Sequence, residues 1–187
     1  SLGEIAVFPA VECIFHPVYN LVDYLIAPSS LSKEIQQTAE ELARKVITNL
    51  DIVGLLAVEM FVTKAGEVLV NEVAPRPHNS GHQTISANDT SQYEQHLRAI
   101  LGLPLGATAI IKPSAMVNLL GEEGYTGPAI YKGLEKLLEI EGSNIILYGK
   151  KFTKPHRKMG HITILDDDMD ALKEKVQLVK KAIKVLA

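Results

Sequence analysis

Two glutamates interrupt apolar runs on either side of a short turn: Glu59 lies in VGLLAVEMFVT and Glu72 in VLVNEVA, with KAGE between them. Carboxylates are hard oxygen donors, and two on adjacent strands can share a cation such as Mg²⁺ beside phosphate groups. Whether they meet depends on the turn. With a three-residue loop, Lys64 to Gly66, Thr63 pairs with Glu67 and the acids leave opposite faces. With a four-residue loop, Thr63 to Gly66, Glu72 falls opposite Ala57 and becomes a diagonal neighbour of Glu59 on one face. Like charges held that close are costly unless a cation lies between them; otherwise both face solvent.

After Glu72 the chain reads Val73-Ala74-Pro75-Arg76-Pro77-His78-Asn79-Ser80-Gly81-His82. A connecting loop needs Pro, Gly, Asn or Ser for its shape, but it does not need an arginine and two histidines as well. The prolines hold the segment extended, Arg76 offers a fork of donors to an oxyanion, and Asn79-Ser80-Gly81 is expected to aim backbone N–H groups at a small anion. His78 and His82 read better as hydrogen-bonding or loop residues than as zinc ligands, since no second pair of soft ligands accompanies them and Cys13 is remote.

A second polar cluster is the basic run KKFTKPHRKMGH, Lys150 to His161, in which seven of twelve residues are Lys, Arg or His. The ordinary reading of such a run is a solvated loop. Here it is anchored at both ends, by NIILYG and by GHITIL, and stiffened by Pro155. A phosphomonoester needs two or three converging cations of this kind. Few aromatics interleave with the charges, which disfavours nucleic acid as the partner.

The elements that must position these residues can be read from periodicity. Strand-like residues run from Ile5 to about Phe15, and a long proline-marked connection, HPVYNLVDYLIAPSSLS, is expected to follow. Ser32 then caps a helix whose apolar face is Ile35, Ala39, Leu42, Val46 and Leu50, ending at Asn49 to Asp51. The glutamate hairpin comes next, then a short helix over SQYEQHLRAILG, capped by Ser91 or Thr90 and closed by Gly102. Beyond a Pro/Gly-marked hinge from Leu103 to Pro113, SAMVNLLG, NIILYG and GHITIL read as strands around a helix near Ala129 to Leu138. A last helix, Asp168 to about Leu186, carries Met169, Leu172, Val176, Val179 and Ile183 on one stripe. The fold class expected is α/β, of the α+β type, as two units: residues 1–107 and 108–187.

With 47% hydrophobic and 22% charged residues, the 187-residue chain has the composition of a globular protein able to bury a core. A formal net charge of −3 argues against general attraction to a polyanion. No apolar run reaches the ~18 residues that a membrane span needs. The single cysteine, Cys13, reads as a buried small hydrophobe in a reducing, cytoplasmic setting. The opening GEIAVFPAVECIF begins on strand-like residues with no leading cap, as the interior of a longer protein would.

The run AVEMFVTKAGEVLVNEVAPRPHNSGHQT, followed by SQYEQHLRAILGLPLG and later by YGKKFTKPHRKMGHITI, resembles the carboxyl-terminal part of the N5-carboxyaminoimidazole ribonucleotide synthetase family of purine biosynthesis. The resemblance covers nearly all of the chain. It implies the carboxyl-terminal half of an ATP-grasp domain, an antiparallel sheet with helices, followed by a small α/β domain. It implies a ligase that uses ATP and Mg²⁺ to convert bicarbonate to carboxyphosphate and carboxylate 5-aminoimidazole ribonucleotide (AIR). Glu59 and Glu72 match the family's Mg²⁺ ligands, and Arg76, His78, Asn79 and Ser80 its catalytic loop. Gly81 and His82 match its substrate pocket, and Lys150, Arg157 and Lys158 its 5′-phosphate site. Many ATP-grasp enzymes have an Asn two residues after the second metal glutamate, where this chain has Ala74. The nucleotide clamp of such enzymes would lie upstream, so the chain alone is expected to be inactive; the intact enzymes are commonly homodimers. Two other readings stand beside this one: a formate-dependent glycinamide ribonucleotide transformylase, whose family has a similar Pro-Arg-Pro-His run, and a non-catalytic phosphate-binding module.

Overall fold

The computed structural model describes residues 3–16 and 22–187. Strands β1 (Glu12–Phe15) and β2 (Val22–Ala27) precede helix α1 (Lys33–Asn49) and the hairpin strands β3 (Ala57–Val62) and β4 (Val68–Ala74). A 3-10 turn at Asn79–Gly81 and helices α2 (Thr84–Ala87) and α3 (Gln92–Ile100) follow. The rest comprises β5 (Ser114–Leu120), β6 (Gly127–Pro128), β7 (Ile130–Lys132), α4 (Leu134–Leu138), β8 (Ser143–Leu147), β9 (Phe152–Thr153), β10 (Lys158–Leu165), α5 (Met169–Ala182) and β11 (Lys184–Leu186). Helices and antiparallel pairings are mixed throughout, as the α+β reading expects.

Two compact units divide the chain. The first is Ser1–Glu12 with Ala27–Ile111, and the second is Cys13–Ile26 with Lys112–Ala187. The second therefore includes an early segment that a split near Ala107 leaves with the first.

In the second unit a five-stranded sheet runs in the order β1-β2-β5-β10-β8. Its inner strands β5 and β10 are buried along most of their length on both faces, which explains their nearly unbroken apolar sequence. Ala115, Val117 and Leu119 of β5 and Ile162 and Ile164 of β10 join Leu172, Val176 and Val179 of α5 in one core. Each such Val, Leu or Ile stabilises the fold by about 1.5–3 kcal/mol relative to exposure. α5 starts where Asp168 accepts hydrogen bonds from the backbone N–H groups of Asp170 (2.8 Å) and Ala171 (3.1 Å). It ends at Ala182 rather than near Leu186, because Lys184–Leu186 pair instead with Ile130–Lys132. Likewise the helix expected near Ala129 to Leu138 is confined to α4, since Gly127–Pro128 and Ile130–Lys132 are strands. Gly133 separates them at φ 87°, where a Cβ would sit 2.0 Å from the Ala182 carbonyl oxygen.

In the first unit, Ser32 caps α1 and its Oγ accepts from the Ile35 N–H at 3.4 Å. The face Ile35, Ala39, Leu42 and Val46 is only half-buried, and Leu50 is exposed. Of the strand expected from Ile5 to about Phe15, only Glu12–Phe15 forms; residues 5–11 form none. Side chains take up their carbonyls instead: Arg44 Nη1 donates to Ile5 O and Thr108 Oγ1 to Val7 O, each at 2.8 Å. Within the expected connection, residues 17–21 lie outside the described ones, and Val22–Ala27 is a strand. Cys13 is exposed, against expectation. It stands with Phe15 on the open face of β1, the end strand of its sheet, while Glu12 and Ile14 turn inward.

Candidate active site

The hairpin turn is tight. Gly66 N–H donates to Thr63 O and Thr63 N–H to Glu67 O, both at 2.9 Å, and Gly66 takes φ 83°. This is the three-residue register, with Thr63 opposite Glu67, which in a regular ladder would send the two acids to opposite faces. The ladder is not regular. Met60 pairs with Val70, yet Glu59 pairs with Glu72, so Asn71 is one extra residue on β4. That β-bulge restores the parity and turns Glu72 onto the face of Glu59. The diagonal arrangement with Glu72 opposite Ala57 does not occur, because Ala57 pairs with Ala74. The acids are instead direct cross-strand partners.

The arm Pro75–Pro77 brings His78 back to this pair. Glu59, Glu72 and His78 each present a ligand atom, and the three lie within 4.8 Å of one another. His78 Nε2 is 3.4 Å from Glu59 Oε1. Two opposed carboxylates on a half-exposed hairpin suit a hard divalent cation that keeps several waters, so the residues fit Mg²⁺. The His78 ring is oriented from its other side, where Nδ1 is 2.9 Å from Ser80 Oγ and receives the Ser80 N–H at 3.4 Å. Arg76 is exposed, and its Nη1 donates to Pro77 O at 3.1 Å.

Of the backbone amides expected to face an anion, those of Ser80 and Gly81 are taken up within the turn itself. Gly81 N–H donates to His78 O (3.0 Å) and His82 N–H to Asn79 O (3.2 Å), closing the 3-10 turn on itself. One residue that periodicity assigns merely to a helix stands out here. Gln92, in the first turn of α3, is buried and bonded to His78 and His82. The sequence signal was slight: a polar residue directly after the Ser91 cap, where exposed polar residues are common.

The basic run lies in the second unit. Lys150 Nζ donates to Lys158 O at 2.6 Å and stands 5.4 Å from the centroid of the Tyr148 ring. Arg157 Nη1 donates to Phe152 O at 3.0 Å. The run is tied to Gly121, whose N–H donates to Arg157 O and whose carbonyl accepts from His156 N–H, both at 2.9 Å. A Cβ on Gly121 would lie 2.2 Å from Lys154 O, so only glycine lets the loop approach this closely. Lys150 and Lys158 are thus linked, and Arg157 borders them in sequence. His161, at the end of the run, is buried, and burial lowers its pKa to about 4. Its Nδ1 lies 3.0 Å from Tyr148 Oη.

Residues 1–93 match the model of the ATP-grasp domain, and this class of nucleotide-using enzyme is the one to which the paired acids and mixed fold point. Residues 114–175 match the phosphoribosylaminoimidazole carboxylase C-terminal domain. The chain is 49% identical over 169 residues to the N5-carboxyaminoimidazole ribonucleotide synthase of Bacillus subtilis, covering 90% of this chain and 42% of that protein. It superposes on the crystal structure of N5-carboxyaminoimidazole ribonucleotide synthetase from Thermotoga maritima with a TM-score of 0.91 and 51% identity, over 99% of this chain and 49% of that one. The Aspergillus clavatus N5-carboxyaminoimidazole synthase, solved in complex with ADP and 5-aminoimidazole ribonucleotide, gives 0.82 and 36%, over 93% and 46%. The chain belongs to the N5-carboxyaminoimidazole ribonucleotide synthase family. It spans half or less of the length of these relatives.

Proposed function

We propose that this chain supplies the metal-holding hairpin, the reactive-anion loop and the ribonucleotide phosphate site of an ATP-dependent carboxylating ligase. The overall reaction is ATP, bicarbonate and AIR to N5-carboxyaminoimidazole ribonucleotide, ADP and phosphate, through carboxyphosphate. The observation that carries this reading is the opposition of Glu59 and Glu72 across the bulge, with His78 delivered beside them by the Pro75–Pro77 arm. Support for the substrates comes from the Aspergillus relative, whose structure holds ADP and AIR.

In this reading Glu59 and Glu72 hold Mg²⁺, which when bound neutralises phosphate charge during transfer. Arg76 pairs with the oxyanion of the reactive acyl phosphate through its planar fork. His78 offers its Nε2 side, and Asn79 and Ser80 add hydrogen-bonding groups that hold the anion against the acceptor amine. Gly81 and His82 border the AIR pocket. Lys150, Arg157 and Lys158 receive the 5′-phosphate, where guanidinium and ammonium groups are each at their most effective. Ala74 offers no side-chain ligand, so a second cation would rely on substrate oxygens and water. We assign the enzyme to the cytoplasm as a homodimer; the negative net charge disfavours a nucleic-acid partner, and no helix among the described residues is long and apolar enough to cross a membrane.

Titration calorimetry tests the assignment. On these 187 residues AIR is expected to bind while ATP does not, and a phosphate-release assay with ATP, bicarbonate and AIR is expected to show no turnover. Binding of neither AIR nor ATP would favour a structural remnant over the ligase reading.

A further inference from the structure

Gln92 is 2% exposed, and all three of its carboxamide contacts are to the candidate loop. Oε1 accepts from the His78 N–H at 2.8 Å, Nε2 donates to the His78 carbonyl at 2.8 Å, and Nε2 meets His82 Nδ1 at 2.9 Å. The first two bonds settle which end of the amide is which, because a backbone N–H can only donate and a carbonyl only accept. Nε2 has two hydrogens. With one on the His78 carbonyl, the other points at His82 Nδ1, which must then carry the lone pair. The Tyr93 hydroxyl also lies 3.1 Å from this nitrogen, and its role there follows the tautomer.

The amide is held in this pose from both sides. The backbone N–H of Gln92 donates to Thr84 Oγ1 at 2.9 Å, and Thr84 Oγ1 donates to Gly81 O at 2.6 Å. A Cβ on Gly81 would lie 2.6 Å from Gln92 Oε1, so the glycine is what admits the carboxamide.

We infer that Gln92 is a positioning residue: it clamps the His78 peptide beside Glu59 and Glu72 and imposes on His82 the neutral tautomer protonated at Nε2. His78 likewise receives Ser80 N–H on Nδ1, which leaves its ring proton on Nε2, 3.4 Å from Glu59 Oε1. Protonated at Nε2, His82 is a donor on that side, which complements acceptor oxygens such as those of an acyl phosphate, a carboxylate or a ribose hydroxyl. The link to AIR rests on the function proposed above; the tautomer does not.

The test is long-range ¹H–¹⁵N spectroscopy of the ¹⁵N-histidine-labelled protein at about pH 8, where imidazoles are neutral. His82 is expected to show an unprotonated Nδ1 and a protonated Nε2. Gln92→Glu keeps the size of the side chain and the acceptor for the His78 N–H, but it has no donor for His82. In that variant the proton is expected to move to Nδ1. A wild-type Nδ1–H, or a tautomer unchanged in Gln92→Glu, would overturn the inference; the wild-type spectrum decides even if the variant misfolds. Where the wild type binds AIR, Gln92→Glu should bind it about tenfold more weakly, the loss of roughly one hydrogen bond. Because the spectrum needs no substrate, absence of AIR binding would count against the proposed ligase and leave the tautomer assignment standing.

Discussion

Glu59 and Glu72 face each other directly, and like charges at such a position destabilise an antiparallel pair by about 0.2–1 kcal/mol. A cation between them reverses the sign. Glu72→Gln should therefore raise the unfolding free energy in the presence of a chelator, by up to about 1 kcal/mol as read from urea titration, and should abolish the stabilisation that Mg²⁺ or Mn²⁺ gives the wild type. Equal metal stabilisation of the two proteins would remove Glu72 from the metal site. The types of these residues announced their chemistry, since acids inside apolar strand patterns are conspicuous. Environment did not show in the same way. Cys13 was expected inside and is exposed, and the burial of His161 and Gln92 depends on strands and loops that pack on them from afar.

Among the elements, what was legible is what local chemistry decides. Ser32, Ser91 and Asp168 cap their helices, and Gly66 turns the hairpin, because each acts within a few residues of itself. The bulge at Asn71 was not legible. Val70-Asn71-Glu72 carries no bulge signature, and the extra residue is set by how two strands pair along their whole length. The same holds for Lys184–Leu186, helical in pattern but claimed by β7. The caps differ in what they support. Asp168 accepts two N–H groups at 2.8 and 3.1 Å and starts a helix that buries Leu172, Val176 and Val179, whereas Ser32 accepts one at 3.4 Å and starts a helix with no fully buried residue. Asp168→Ala should cost about 1–2 kcal/mol and Ser32→Ala about 0.5, read from urea midpoints of the single variants. A reversed order would mean that cap geometry does not govern these helix ends.

At the scale of the molecule the two units hold their cores differently. The large apolar cluster lies in the second unit, while the buried polar residues of the first include Gln83, Thr84, Asn88, Thr90, Gln92 and Gln95. The hairpin of the first unit leaves Phe61, Leu69 and Val70 exposed. Local opening is easiest where few apolar groups are buried, so at neutral pH amides of α1, β3 and β4 should exchange with deuterium at least about tenfold faster than those of β5, β10 and α5. Acid should narrow that gap from the other side. The His161 pKa is lowered to about 4 in the folded protein, against 6.5 ordinarily, because burial disfavours the imidazolium. Between those values the unfolded chain takes up a proton that the folded unit refuses, so stability contributed by neutral His161 is complete above about 6.5 and drains away as pH falls toward 4. The loss is on the order of 2–3 kcal/mol. Exchange measured at pH 7 and at pH 5, corrected for intrinsic rates, should show the protection of β5, β10 and α5 falling in the wild type. It should fall less in His161→Gln, which has no group titrating in that window. An equal loss in both proteins would assign the acid sensitivity to other groups of the second unit.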